Sequence, residues 1–169
     1  MSISIDLTGK VALITGASQG IGVQMTRTFQ QAGAAVLLNH PDVGNTRADA
    51  ERLAEELNAQ RTGSADVIAA NVGDAAAVQA MMEQVRGTRG GLDFLINNAA
   101  ILRDRTIAKM SLEEWNSVIE VNLSGVFHCC KFALEIMWDR GAIVSMGSIA
   151  AIQSFFGQAN YATAAIAMR

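Results

Sequence analysis

A chain of 169 residues, half of them hydrophobic and with a net charge of −3, fits a single domain able to bury about 70% of its unfolded surface. The charges are dispersed, so there is no basic tract to attract nucleic acid. No apolar run approaches the roughly 20 residues of a membrane span, and Met1 to Asp6 lacks the basic-then-apolar order of a signal peptide; the expectation is a cytoplasmic protein.

Val11-Ala12-Leu13-Ile14 is a short apolar run suited to a parallel strand buried on both faces. Glycines at 16, 20 and 22 follow, and Val23 to Ala32 reads as a helix. On its own, G-x-x-x-G-x-G serves equally well as a plain tight turn. Between a strand and a helix it becomes a phosphate cradle: the first glycine permits the turn, and the later ones admit close approach of ligand and helix. The helix N-terminus adds free N–H groups and a positive dipole end. Gly16, Ser18, Gln19, Gly20, Ile21 and Gly22 are the candidate contacts.

Gly33 reads as the helix C-cap and Ala34 to Leu38 as strand two, ended by Asn39-His40-Pro41-Asp42. Dinucleotide folds select their cofactor at this point. An acid here accepts from the ribose 2′-OH of NAD; its absence, with a base nearby, admits the 2′-phosphate of NADP. His40 stands where that acid is expected, Asp42 follows behind a proline, and Arg47 is a possible phosphate partner. The turn therefore favours NADP(H) over NAD(H), with Asn39 and His40 as candidate contacts. The plainer alternative makes His40 an exposed turn residue.

Asn45 to Ala59 is a charged amphipathic helix, Ala65 to Ala70 a third strand, and Asp74 an N-cap for a helix over 75–86 with Met81 and Met82 in the core. Leu92 to Ile96 is strand four, followed by Asn97-Asn98-Ala99-Ala100 and a mixed-charge loop, 101–105, read as a solvated turn. Ser111 and Glu114 form a capping box for a helix running to about Trp138, apolar on two sides and interrupted at Asn122 and Ser124-Gly125. His128 reads as a packed helix residue rather than a ligand. Cys129 and Cys130, adjacent on that helix, point about 100° apart and suit neither a disulfide nor a paired metal site. Ala142 to Met146 is strand five; Ser148 leaves its C-terminal end, and Tyr161 enters a last helix of small residues.

Gly9-Lys10-Val11-Ala12-Leu13-Ile14-Thr15-Gly16, the glycine loop, Asn97-Asn98-Ala99, Leu102-Arg103-Asp104, Asn122-Leu123-Ser124, Ser148 and Gly157-Gln158-Ala159-Asn160-Tyr161 stand in one order. Together they resemble the first two thirds of a classical short-chain dehydrogenase/reductase, in the subgroup of 3-oxoacyl-(acyl carrier protein) and acetoacetyl-CoA reductases. The resemblance implies an α/β, Rossmann-like, doubly wound parallel sheet with helices on both faces, here ending after about five strands. It implies hydride transfer between a nicotinamide cofactor and a carbonyl or secondary alcohol, with a small carbonyl or acyl-thioester substrate. Tyr161 is then the proton donor, Ser148 holds the same oxygen, and Asn122 orders a water-linked proton path. Asn71 or Val72 touches the adenine, Asn98 and Ala99 leave room for a ribose, and Tyr161 also flanks the cofactor. In that family the long helix and the tyrosine-bearing helix pack on their copies across a twofold axis, so the resemblance implies a homo-oligomer.

Three departures qualify this. Ala165 occupies the position, four residues after Tyr161, where the family carries a lysine. On a helix that lysine would share a face with the tyrosine and favour its anion. The connection Asp139-Arg140-Gly141 is short, and the family's last two strands, substrate lid and C-terminal helices have no counterpart in the 169 residues; within the asparagine motif Ala100 also stands where the family has a glycine. Two function classes follow: a ketoreductase, or a catalytically impaired nucleotide-binding or scaffolding fragment of that family.

Overall fold

The computed structural model describes residues 5–153 and 155–167; the Met1–Ser4 stretch and Arg169 lie outside them. Five strands, β1 (Val11–Ile14), β2 (Ala35–His40), β3 (Ala65–Ala69), β4 (Leu92–Asn97) and β5 (Met137–Ser145), form one sheet in the order β3-β2-β1-β4-β5. Every pairing is parallel. The helices are α1 (Gly20–Gln31), α2 (Thr46–Gln60), α3 (Ala75–Arg89), α4 (Leu112–Ile119), α5 (Gly125–Ala133) and α6 (Ala159–Ala167).

The strand alternation divides the core in two. Val11 and Leu13 of β1 face the layer holding Val78, Met81, Met82 and Val85 of α3 with Cys129 and Ala133 of α5. Ala12 and Ile14 face the layer of Leu53, Ala54 and Leu57 on α2 with Val23 and Phe29 on α1. The order in which successive strands are added reverses between β1 and β4, although all run parallel, and a crevice opens there at the C-terminal strand ends, where open α/β sheets place ligands. The doubly wound sheet implied by the sequence is thus present.

Local chemistry sets the element ends. Asp74 caps α3, its Oδ1 accepting from the amides of Ala76 (2.9 Å) and Ala77 (3.2 Å). Ser111 and Glu114 close the expected capping box on α4. Gly33, at φ +107°, follows the α1 cap Ala32 and packs so tightly on Thr8 that a Cβ would lie 2.7 Å from its Oγ1.

Several boundaries differ from expectation, among them the start of β5, at Met137 rather than Ala142. The helix α1 begins at Gly20 rather than Val23. Strand β2 runs on through Asn39 and His40, because both pair with β3 opposite Ile68 and Ala69. The long helix expected to reach Trp138 ends at Ala133. The short connection leaves no room for a further turn: Leu92 already donates to the Ile136 carbonyl at 3.1 Å, and Met137 pairs with Leu92. Asp139, Arg140 and Gly141 lie within β5, in a bulge where Trp138 to Gly141 stand opposite Asp93 alone and Arg140 takes φ +70°. Between α4 and α5 the helix widens to a π turn over Glu120–Ser124, at the residues expected to interrupt it. Gly125 follows because a Cβ there would meet the Val72 side chain at 2.7 Å.

Candidate active site

Two adjoining cavities open at the C-terminal strand ends. The larger, about 570 Å³, is lined from the turn after β1 by Gly16, Ser18, Gln19, Gly20 and Ile21. Asn39 supplies the β2 wall, Asn71 and Val72 the β3 wall, and Asn98 and Ala99 the β4 wall. The smaller, about 190 Å³, is lined by Asn122, Val126, Ser148, Tyr161 and Ala165, and shares Ile21, Asn98, Ala99 and Ala100 with the first.

The glycines divide their work. Gly16 sits at φ +62° with its hydrogen against Ala99; a Cβ would lie 2.9 Å from the Ala99 Cα. Gly22 does not line the cavity. It lets α1 press on the β1 turn, since a Cβ would come 2.4 Å from the Gly16 carbonyl and 2.8 Å from Asn98 Nδ2. Gly20, at φ +56°, has nothing within 4 Å of a Cβ and faces open space. Gln19, the N-cap, makes no side-chain cap bond. The first-turn amides of α1 therefore stay available to an anion.

Buried side chains tie the strand ends together. Thr15 Oγ1 accepts from the amides of Asn98 (2.9 Å) and Ala99 (3.0 Å) and donates to the Ile96 carbonyl (3.3 Å). Asn98 Nδ2 returns to the carbonyls of Thr15 (2.9 Å) and Gly16 (3.1 Å). Asn39 Oδ1 accepts from the Gly16 amide at 3.3 Å while its Nδ2 donates to the Ala70 carbonyl at 2.9 Å. Thus β1, β2, β3 and β4 present one rigid rim.

The β2 turn is arranged differently from expectation. His40 is neither an exposed turn residue nor part of the cavity wall; its side chain is fully buried. Burial, the largest influence, pushes its pKa below the ordinary histidine value, as does Arg47, against the opposing pull of Asp42 and Glu51. Pro41, Val43 and Thr46 line the cavity there instead. Arg47 is engaged by Asp42, with Nε donating to Oδ1 at 2.8 Å, and that bond holds the Asp42 carboxyl below its ordinary range.

In the smaller cavity Ser148 and Tyr161 approach from opposite elements. Ser148 leaves β5 and caps a 3-10 turn (Ile149–Ala151), its Oγ accepting from the Ala150 amide at 3.2 Å. Tyr161 lies in the first turn of α6, whose entry is fixed by Asn160: Nδ2 donates to the carbonyls of Arg103 (3.0 Å) and Glu114 (3.2 Å). Ala165, 4% exposed, ends in a methyl where α6 meets the cavity. Asn122 sits in the π turn with both polar side-chain atoms used: Oδ1 accepts from the Ile101 amide (2.9 Å) and Nδ2 donates to its carbonyl (3.0 Å). Its side chain anchors the post-β4 loop.

Sequence reasoning missed several contributors. The 101–105 loop is not simply solvated: Ile101 and Arg103 line the larger cavity, and Asp104 and Arg105 hold the α6 approach through Gln158 (3.0 Å) and the Gly157 carbonyl (2.8 Å). His128 packs as expected, yet its Nδ1 also holds the Val72 carbonyl of the cavity wall at 3.1 Å. Helical spacing alone carries no signal for that cross-element bond.

A family model described as short chain dehydrogenase matches residues 10–169. The chain is similar to the 3-oxoacyl-[acyl-carrier-protein] reductase FabG of Escherichia coli (strain K12), 36% identical over 95% of this chain and 63% of the relative. It is 40% identical to the reductase of the same name from Staphylococcus aureus (strain Mu50 / ATCC 700699), over 90% of this chain and 61% of the relative. The chain thus spans less than two thirds of the curated relatives it matches. Among solved structures it resembles a short chain dehydrogenase from Burkholderia cenocepacia J2315 in complex with NADP, with a TM-score of 0.90 at 30% identity, covering 96% of this chain and 65% of that one.

Proposed function

The chain belongs to the short-chain dehydrogenase family, and on that premise we propose that it is built for NAD(P)-dependent reduction of a carbonyl, with a 3-oxoacyl thioester as the substrate class. The observation that carries this reading is the shared wall: Ser148 and Tyr161 line a cavity that continues, through Ile21, Asn98, Ala99 and Ala100, into the larger one. The larger cavity fits a dinucleotide by the chemistry of its lining. The uncapped N-terminus of α1 and the open face of Gly20 suit a pyrophosphate, and the small residues Ala99 and Ala100 suit a ribose.

A reduced nicotinamide supplies a hydride to a carbonyl carbon when bound. The chain's own part is to manage the oxygen. Tyr161 donates its phenolic proton to the developing alkoxide, and Ser148 holds that oxygen by a hydrogen bond. Thr15, Asn39 and Asn98 keep the cavity walls in register, and Asn122 fixes the Ala100–Ile101 segment through its two bonds to Ile101. The test is NADPH oxidation with a 3-oxoacyl thioester. Ser148→Ala and Tyr161→Phe should each lower the rate at least a hundredfold; unchanged rates in both would reject the reading.

For the cofactor we infer NADP(H) over NAD(H). The β2 end offers Asn39 rather than an acid to the cavity, and Asp42, three residues further on, is engaged with Arg47. The similar Burkholderia cenocepacia structure is described in complex with NADP.

Ala165 favours a second reading. No cation stands beside Tyr161 on α6, so this chain is a weak catalyst or a nucleotide-binding scaffold. Dinucleotide binding without turnover supports that reading; turnover supports the first. In either case we propose a homo-oligomer, because Phe127 on α5 (61% exposed) and Leu134, the C-cap that follows it (67%), stand seven residues apart on one exposed apolar face.

A further inference from the structure

The buried histidine at the end of β2 serves neither the core's apolar packing nor the cavity lining. His40 follows Val36 and Leu38 on the sheet face that packs on α2, and its ring is fully buried. Its Nδ1 accepts from the Asp42 amide at 3.0 Å. A neutral ring that accepts at Nδ1 carries its proton on Nε2, and Nε2 has no hydrogen-bond partner among the described residues. The one bond this ring makes is therefore to the backbone of the next turn.

That turn frames one end of the larger cavity. Asp42 takes φ +56°, a left-handed conformation uncommon outside glycine. It is held from one side by the His40 ring and from the other by Arg47. Beyond it, Val43 is tied to Thr46, whose Oγ1 donates to the Val43 carbonyl (2.8 Å) and accepts from its amide (3.1 Å). Pro41, Val43 and Thr46 all line the cavity. Resting on the nucleotide-binding reading above, we propose that His40 is a proton-operated latch on the adenosine end of the cofactor cavity. Neutral, it fixes the Pro41–Thr46 turn by accepting the Asp42 N–H; protonated, it releases the turn and weakens dinucleotide binding.

A protonated ring has only donors and cannot accept the Asp42 N–H. The charged groups that bear on it are Asp42 in the turn and Arg47 and Glu51 on α2; its partner across β3 is Ala69. Burial and Arg47 oppose protonation, and Asp42 and Glu51 favour it, with burial the largest. The latch is thus closed at neutral pH and opens below the ordinary histidine value of about 6.5. His40 acts through the backbone of Asp42 and is a positioning residue.

The first test needs no ligand. Amide exchange and NMR shifts of the full chain are followed from about pH 8 to pH 5, with β1 amides as the reference for global stability. The Asp42 amide should lose several-fold protection with the same midpoint as the His40 ring, while β1 stays protected. Protection that ignores the ring's titration overturns the latch. The second test titrates NADH, which has no 2′-phosphate to titrate. Its Kd should weaken about three- to tenfold on acidification, and His40→Asn, whose amide oxygen accepts but does not titrate, should flatten that dependence. A pH dependence preserved in His40→Asn overturns the latch alone. Failure of the folded chain to bind NADH or NADPH at any pH overturns the nucleotide reading and with it the effect on affinity.

Discussion

Ala165 and Tyr161, one turn apart on α6, line the same 190 Å³ cavity, so a methyl faces the space beside the phenol. A lysine there has room to enter, and its ammonium would favour the tyrosinate. Tyr161 is the only tyrosine in the chain, which makes its ionisation directly visible. Ala165→Lys is expected to show more tyrosinate absorbance than wild type at a fixed alkaline pH, and to raise NADPH-dependent reduction of a 3-oxoacyl thioester at least tenfold. Tyr161→Phe in that background should remove both effects. A gain in rate that survives Tyr161→Phe would show that another group donates the proton.

Thr15 is the hub of the rim, with three hydrogen bonds from a side chain that is 1% exposed. Thr15→Val keeps its shape but leaves the Asn98 and Ala99 amides without their acceptor. The expected cost is about 2 kcal/mol, read as a lower urea midpoint at constant slope, while Thr15→Ser should recover most of it. Equal midpoints for the Val variant and wild type would remove Thr15 from this role.

The glycines should not be equivalent. Gly22→Ala drives a Cβ to 2.4 Å from the Gly16 carbonyl and must displace backbone. Gly20→Ala meets nothing within 4 Å and pays only for its φ of +56°, about 1 kcal/mol. NADPH affinity is expected to fall more than tenfold in the first variant and less in the second. The reverse order would mean that Gly20, not Gly22, packs against the strand turn.

The exposed face of α5 gives a test of association. Phe127→Glu places a charge on the proposed interface at a position that is 61% exposed within the chain, so the fold should survive. Light scattering at micromolar concentration should report a homo-oligomer for wild type and a smaller species for the variant. A monomeric wild type would end the proposal.

Much of this architecture was legible because local chemistry and tertiary need agree. Val11 to Ile14 are apolar at every position and are buried at every position, and Asp74 and Ser111 cap the helices they precede. Legibility failed where a distant partner decided the outcome. Strand β2 extends through His40 because β3 supplies ladder partners, which turns a histidine expected at the cofactor, or else exposed in the turn, into a buried one. The helix after Ser111 stops at Ala133 because Met137 must pair with Leu92, although its apolar spacing continues. Ser148 and Tyr161 were legible only through the ordered set of motifs around them; neither carries a local signal for the cavity they share.

The central claim, a dinucleotide seated on the turn after β1, is tested most directly by calorimetric titration of NADPH into the folded chain and into Gly16→Val. Gly16 has φ +62° and leaves 2.9 Å between a Cβ and the Ala99 Cα, so valine closes the cradle. Saturable binding to wild type, tighter for NADPH than for NADH and lost in a Gly16→Val variant that still shows native circular dichroism, is the expected result. A silent titration of the folded wild type, or equal binding by the folded variant, would contradict the account.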